Sequence, residues 1–292
     1  MKLLITGAKG QLGTQLISVI KNMKCELGEI NKAYEKAEIT GIDLQDLDIS
    51  NLEEVKAYVY KLKPDIIINP AAYTNVDGCE ANIDLAFKAN ALGARNLAIA
   101  AEEIGAKLLH LSTDYVFEGK GTLPYREYDL PKPQSVYGGT KLKGEEYVRE
   151  FCSRYFVVRT AWLYGYNGGN FVKTIMKAAK EKGKLEVVND QRGNPTNAED
   201  LIYHILKLAL TEEYGVYHCT GEGECSWYDF AVKIVEYAKI PCTVEPIDSG
   251  RSNRAAKRPA FSSLDNMMLR CTVGNEMRDW QQALEEFIRK VI

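Results

Sequence analysis

The chain has 292 residues, with 37 Lys and Arg against 40 Asp and Glu for a net charge of −3; 46% of its residues are hydrophobic and 26% charged. This balance excludes a disordered or collagen-like chain, suits about two domains, and lacks the basic surplus of a dedicated nucleic-acid binder. Seven cysteines without a CxxC pair, and three histidines without ligand spacing, describe neither a disulfide scaffold nor a metal site. They are expected as buried thiols in a reducing cytoplasm. No apolar run approaches the ~20 residues of a membrane span. Because residues 1–5 already read as strand, no signal peptide is expected and the predicted location is cytoplasmic.

Residues 2–6 read as a buried strand, 7–13 as a turn, and a helix follows to about Lys21. The more polar stretch 24–38 reads as an excursion before a strand at 39–43. Ser50-Asn51-Leu52-Glu53 reads as a capping box for a helix that stops near Lys63, before Pro64. The continuous apolar run at 65–69 is what a parallel strand covered on both faces requires. A long helix over 85–104 and a strand over 107–111 follow. Strand and helix alternating in this way predict an α/β fold with a Rossmann-like, doubly wound parallel sheet. Beyond Thr160 the regularity falls. Helices near 170–182, 198–210, 226–237 and 280–291, with strands at 185–188 and 216–219, predict a smaller, partly interleaved α/β substrate-binding region. The expected division is a dinucleotide-binding domain over 1–163 and a substrate-binding region over 164–292, with about 195–215 returning to the first.

Thr6-Gly7-Ala8-Lys9-Gly10-Gln11-Leu12-Gly13 joins the first strand to the first helix. Glycines let backbone approach a pyrophosphate, and a helix N-terminus offers it free N–H groups and partial positive charge. Gly7, Gly10, Gln11, Leu12 and Gly13 are therefore candidate cofactor contacts, although the spacing is Gly-x-x-Gly-x-x-Gly and an ordinary glycine turn would read alike. Asp43 either accepts hydrogen bonds from a ribose diol, which would favour NADH over NADPH, or caps a turn. Asp48 and Ile49 are candidate adenine contacts. Ala71, Ala72 and Tyr73 leave a strand at the sheet edge where ligands lie in such folds, and the small alanines admit a cofactor close to backbone.

Tyr137 and Lys141 stand at i and i+4, on one face of a helix. A cation near a phenol lowers its pKa from ~10 and makes it a usable acid or base. Tyr128/Lys132 and Tyr203/Lys207 share the spacing. Pro131 and Pro133 forbid a helix at the first, and the second lies in an amphipathic helix where a packed tyrosine suffices. Tyr137 instead follows the run Leu111-Ser112-Thr113-Asp114-Tyr115, whose Thr113 hydroxyl could bind the same carbonyl oxygen the phenol serves. A merely structural Tyr/Lys pair is the alternative.

The glycine turn, Ser112–Thr113 and Tyr137/Lys141, in this order, resemble the extended short-chain dehydrogenase/reductase family. Within it the chain is similar to the dTDP-4-dehydrorhamnose reductases through His110–Phe117, Val136–Glu145, Arg159–Gly165, Asn189–Thr196 and Lys257-Arg258-Pro259 through Leu264-Asp265. The resemblance covers nearly the whole chain. It implies NADH- or NADPH-dependent reduction of a 4-keto nucleotide sugar, a small-molecule substrate, with Tyr137, Lys141 and Thr113 catalytic. Lys141 would lower the phenol pKa and hold the nicotinamide ribose, Asn90 would support the lysine through water, and Leu111 lies on the cofactor side. Asp114 and Trp162 are implied as sugar contacts, and Arg192 and Arg258 as partners of the substrate phosphates. Some relatives form a Mg²⁺-bridged dimer through glutamates, one just after the phosphate loop. The corresponding residue here is Gln15, a poorer ligand for a hard cation, so monomer and homodimer both stay open and no metal site carries over. A nucleotide-sugar epimerase, and a non-catalytic subunit resembling the regulatory subunit of methionine adenosyltransferase, remain as rivals.

Overall fold

Short Leu/Ile runs separated by helices can bury both faces of every strand only in a parallel sheet covered on each side. The structure, a computed structural model, describes residues 1–251 and 254–292. Its main sheet is formed by β1 (Lys2–Ile5), β2 (Glu38–Gly41), β3 (Ile66–Asn69), β4 (Lys107–Thr113), β5 (Tyr155–Thr160) and β6 (Gly215–His218), in the order β6-β5-β4-β3-β1-β2 and parallel throughout. The chain runs outward from β1 to β2 and then jumps back to β3 on the other side of β1. That reversal opens a crevice at the C-terminal ends of β1 and β3, where ligands bind in open α/β sheets. Leu3, Ile5 and Ile68 point into one apolar layer, and Leu4, Ile67 and Val157 into the other.

Strand β5 carried no sequence expectation. Its Arg159 interrupts the apolar run Phe156-Val157-Val158, and the structure buries that arginine rather than exposing it. The excursion 24–38 is a two-rung antiparallel ladder followed by a 3₁₀ turn over Lys32–Tyr34; the buried Tyr34 hydroxyl pins it by donating to the Leu206 carbonyl at 2.7 Å. The expected cap at Ser50 is shifted by one residue. Asn51 caps the helix Leu52–Leu62, accepting from the Glu54 N–H at 3.3 Å and donating to its carboxylate at 2.7 Å. The long helix expected at 85–104 comprises Ile83–Phe87, a π-helical turn at Lys88–Leu92, and Gly93–Ile104.

In the second half, helices Phe171–Lys182, Trp227–Tyr237 and Trp280–Val291 enclose a separate apolar cluster. Lys184–Val188 pairs in parallel with Thr243–Ile247, the latter not anticipated. Helix Ala198–Ala209 instead packs in the cluster of the main sheet, beside α1 (Gln11–Asn22). Five cysteines are buried, but Cys242 is only half-buried and Cys271 is exposed, which corrects the expectation of uniformly buried thiols. Among the described residues no helix is long and apolar enough to cross a membrane.

Candidate active site

The glycine turn lies where β1 meets the crevice. Gly7 takes a φ of +54°, and a Cβ on Gly13 would fall 2.2 Å from the Gly7 carbonyl oxygen, so neither position admits a side chain without moving the loop. Helix α1 starts from Gly10, which has no side chain to occupy the first N–H groups. These features fit a dinucleotide phosphate. Ala71 packs directly against Gly7, as its size permits. Gln11 reaches over to the Leu163 carbonyl at 3.5 Å. The Leu12 side chain is buried in the core, so only its backbone can serve a ligand.

Both oxygens of Asp43 accept backbone N–H bonds, from Lys9 at 3.1 Å and Leu44 at 2.8 Å, so this carboxylate caps its turn and ties it to the glycine loop. Asp48 is exposed and caps the turn at Ser50 at 2.9 Å, while Ile49 lies against Gly93. Asn90 lies in the π turn and is buried. Its side chain accepts from the Tyr73 N–H at 2.8 Å and donates to the Tyr73 carbonyl at 3.2 Å and to Thr140 at 3.1 Å, fixing the loop after β3.

Tyr137 opens helix α2 (Val136–Phe151), which begins at the cap of Ser135. Gly138 lets this helix approach closely, since a Cβ there would meet the Tyr115 carbonyl oxygen at 2.2 Å. The Tyr137 ring consequently packs edge-on to Tyr115 at 5.6 Å, beside Thr113. Burial pushes the Tyr137 phenol above its ordinary range, and the Thr113 hydroxyl beside it opposes that rise. The Lys141 amine donates to the Leu111 carbonyl at 2.5 Å. Burial in turn brings the Lys141 pKa down to about 8, against the opposing pull of Glu145.

Asp114 is buried next to Thr113, from which it accepts at 3.0 Å; burial raises its pKa to about 6 against the opposing hydroxyls of Ser262 and Thr113. Trp162 adopts a φ of +46°, rare for a bulky residue, and stacks on Trp227 at 3.6 Å. Arg192 and Arg258 are both paired. Arg192 donates to Glu224 at 3.1 Å, and Arg258 forks onto Asp77 at 3.2 and 3.0 Å and holds that carboxyl at about 2. Of the rival pairs, Tyr128 is exposed in a loop, and Lys207 pairs with Glu276 at 2.7 Å. Gln15 donates to Glu199 at 2.7 Å and accepts from Asn167 at 2.6 Å, and among the described residues no group of three or more carboxylate, histidine or cysteine side chains is placed to hold a metal ion.

Several residues gave no functional signal in the sequence. Glu145, one turn beyond Lys141, accepts from Arg159 at 2.7 Å and from the Ser112 hydroxyl at 2.5 Å, anchoring α2 to β4 and β5. Asp77 orients Arg258, Trp227 backs Trp162, and His110 stands behind Lys141. A charged or imidazole side chain inside an otherwise apolar strand was the available clue for Arg159 and His110.

A parallel sheet reversing at β1, a glycine turn in the crevice and a Thr/Tyr/Lys set on β4 and α2 define a Rossmann-type protein of the short-chain dehydrogenase/reductase kind. More narrowly, the sequence matches the family described as RmlD substrate binding domain over residues 1–292, and the chain belongs to that family. It is 37% identical to the spore coat polysaccharide biosynthesis protein SpsK of Bacillus subtilis over 99% of this chain and 97% of that protein. It is 38% identical to a dTDP-4-dehydrorhamnose reductase of Aggregatibacter actinomycetemcomitans, covering 97% of each. The crystal structure of the dTDP-4-dehydrorhamnose reductase of Bacillus anthracis in complex with NADP is similar with a TM-score of 0.92 and 43% identity, over 99% of both chains.

Proposed function

We propose that this chain reduces the C4 carbonyl of dTDP-4-dehydro-β-L-rhamnose, giving dTDP-L-rhamnose for cell-surface polysaccharide, as a cytoplasmic monomer or homodimer. The observation that carries the reading is the juxtaposition of Thr113 and Tyr137 beside the buried Lys141 amine at the crevice, in a chain similar throughout its length to reductases of that name.

A nicotinamide dinucleotide held by the glycine turn would supply the hydride. The chain's own part is to place the sugar carbonyl and manage its proton. Reduction leaves an alkoxide, so the acid must hold its proton at the start, and a buried phenol whose pKa lies above the ordinary range does so throughout the neutral region. Tyr137 donates that proton, and the Thr113 hydroxyl orients the same oxygen. Lys141 supplies positive charge beneath the site and a donor for the nicotinamide ribose. Trp162, seated on Trp227, forms an aromatic wall for the pyranose, Asp114 receives a sugar hydroxyl, and Arg258 and Arg192 meet the phosphates. The Asp43 carboxylate disfavours a ribose 2′-phosphate and leans toward NADH, whereas the relative from B. anthracis is crystallised with NADP. Mixing the protein with the 4-keto sugar nucleotide and either NADH or NADPH tests the reading: absorbance of the reduced cofactor should fall stoichiometrically. No net consumption with either cofactor would sink it.

A further inference from the structure

A line of four buried polar side chains runs behind the active site. The Thr6 hydroxyl lies 2.6 Å from Oδ1 of Asn69, Nδ2 of Asn69 lies 3.0 Å from Nδ1 of His110, and Nε2 of His110 lies 3.4 Å from Nζ of Lys141. All four residues are at most 2% exposed, so their polar atoms depend on protein partners within the line and beside it. Nζ also donates to the Leu111 carbonyl.

The hydrogen count along this line is restrictive. An ammonium at Lys141 has only protons to offer, so Nε2 of His110 can face it only as a lone pair. A neutral imidazole with a lone pair on Nε2 carries its proton on Nδ1, and that proton requires an acceptor on Asn69. The carboxamide oxygen must then face His110 and the amide nitrogen Thr6, the reverse of the orientation drawn; the two ends of a carboxamide occupy nearly the same space. The other two histidines follow the same pattern. His204 offers Nδ1 to the Asp200 carbonyl at 2.7 Å and accepts the Glu276 N–H on Nε2 at 3.0 Å. His218 offers Nδ1 to the Tyr125 carbonyl at 3.0 Å and turns Nε2 toward Arg159 at 3.4 Å.

We propose that His110 is a positioning residue for Lys141: as the neutral Nδ1–H tautomer, fixed by Asn69 and Thr6, it accepts one ammonium proton and leaves another for the crevice. Two acceptors, Leu111 and His110, then fix the direction in which the lysine presents its remaining donor. The role rests on the reductase reading given above, but the tautomer does not. It can be read on the wild-type protein without any turnover.

Long-range ¹H–¹⁵N spectra of the imidazoles, with His110 assigned by the signals missing from His110→Gln, should show a protonated Nδ1 and an unprotonated Nε2 at neutral pH. A protonated Nε2 at His110 would overturn the proposal. In turnover assays His110→Gln, whose amide oxygen can take the place of Nε2, should stay within about 3-fold of wild type. His110→Phe should lose kcat by on the order of 10- to 100-fold while KM for the sugar nucleotide stays within about 3-fold, as expected of a misaimed catalytic group. Equal losses in the two variants, or a loss confined to KM, would refute the positioning role. Inactivity of the wild type with an Nδ1–H His110 would instead overturn the reductase reading.

Discussion

Replacing Lys141 by Met removes a charge that the fold buries while keeping most of the side chain's apolar length. Burial draws this lysine from the ordinary 10.5 down to about 8, with the Glu145 carboxylate opposing. A group that binds its proton less readily in the folded state opposes folding while the proton is on. The penalty is fully present below pH 8 and disappears as the pH rises toward 10.5, where the unfolded chain loses the proton too. At ~1.4 kcal/mol per pH unit, the interval from 10.5 to about 8 corresponds to about 3 kcal/mol at pH 7 and about 1.5 kcal/mol at pH 9.5. The substitution also forfeits the hydrogen bonds to the Leu111 carbonyl and to His110, worth ~1 kcal/mol each. In urea unfolding at pH 7, Lys141→Met should therefore be more stable than the parent by about 1 kcal/mol, a margin lost by pH 9.5, although reductase turnover is lost. A variant less stable than the parent at pH 7, or a margin that does not narrow with pH, would refute the reasoning.

Tyr137→Phe should keep cofactor binding, followed by nicotinamide fluorescence, and lose roughly 10²- to 10⁴-fold in turnover; near-normal rates would remove the phenol from the chemistry. Gly13→Val places atoms on the Gly7 carbonyl and should weaken cofactor affinity on the order of tenfold or more without unfolding the sheet, as titration and circular dichroism would show. Glu145→Leu strands Arg159, whose side chain is 3% exposed, and should cost ~3–5 kcal/mol in urea unfolding; a smaller loss would mean that the guanidinium finds water. Asp77→Asn frees Arg258 from its carboxylate fork and should change KM for the sugar nucleotide more than kcat. An effect on kcat alone would contradict a phosphate-facing arginine.

The main sheet was legible wherever a strand was uniformly apolar, as in Ile66–Asn69 and Lys2–Ile5, because periodicity records only the contrast between buried apolar and exposed polar residues. Periodicity failed at Tyr155–Thr160, where a buried arginine mimics a surface residue, and, outside the main sheet, at Thr243–Ile247, a partly exposed strand whose Glu245 and Pro246 suppress the pattern. The π turn at Lys88–Leu92 left no local mark either. It inserts one residue into a helix that is apolar on the correct face before and after, and its consequence, the Asn90 clamp on Tyr73, joins residues far apart in sequence.

The site was legible as residue types and not as connections. Spacing placed Tyr137 and Lys141 on one helix face, yet what each amine or hydroxyl does depends on partners from β3 and β4. Only the tertiary structure reveals that the Lys141 ammonium turns to Leu111 and His110. The same holds for Arg258, which reads from sequence as a free cation and is instead preset by Asp77. Pairing of this kind holds the guanidinium rigidly but also weakens its claim on a phosphate. A substrate phosphate bound at Arg258, as proposed, must compete with a carboxylate whose pKa has fallen to about 2 and which therefore stays charged at any pH where the protein works. An enzyme so arranged exchanges affinity for orientation at Arg258. Asp77→Asn should accordingly tighten the sugar nucleotide if charge competition dominates and weaken it if orientation does, so the sign of the KM change decides which force governs the site.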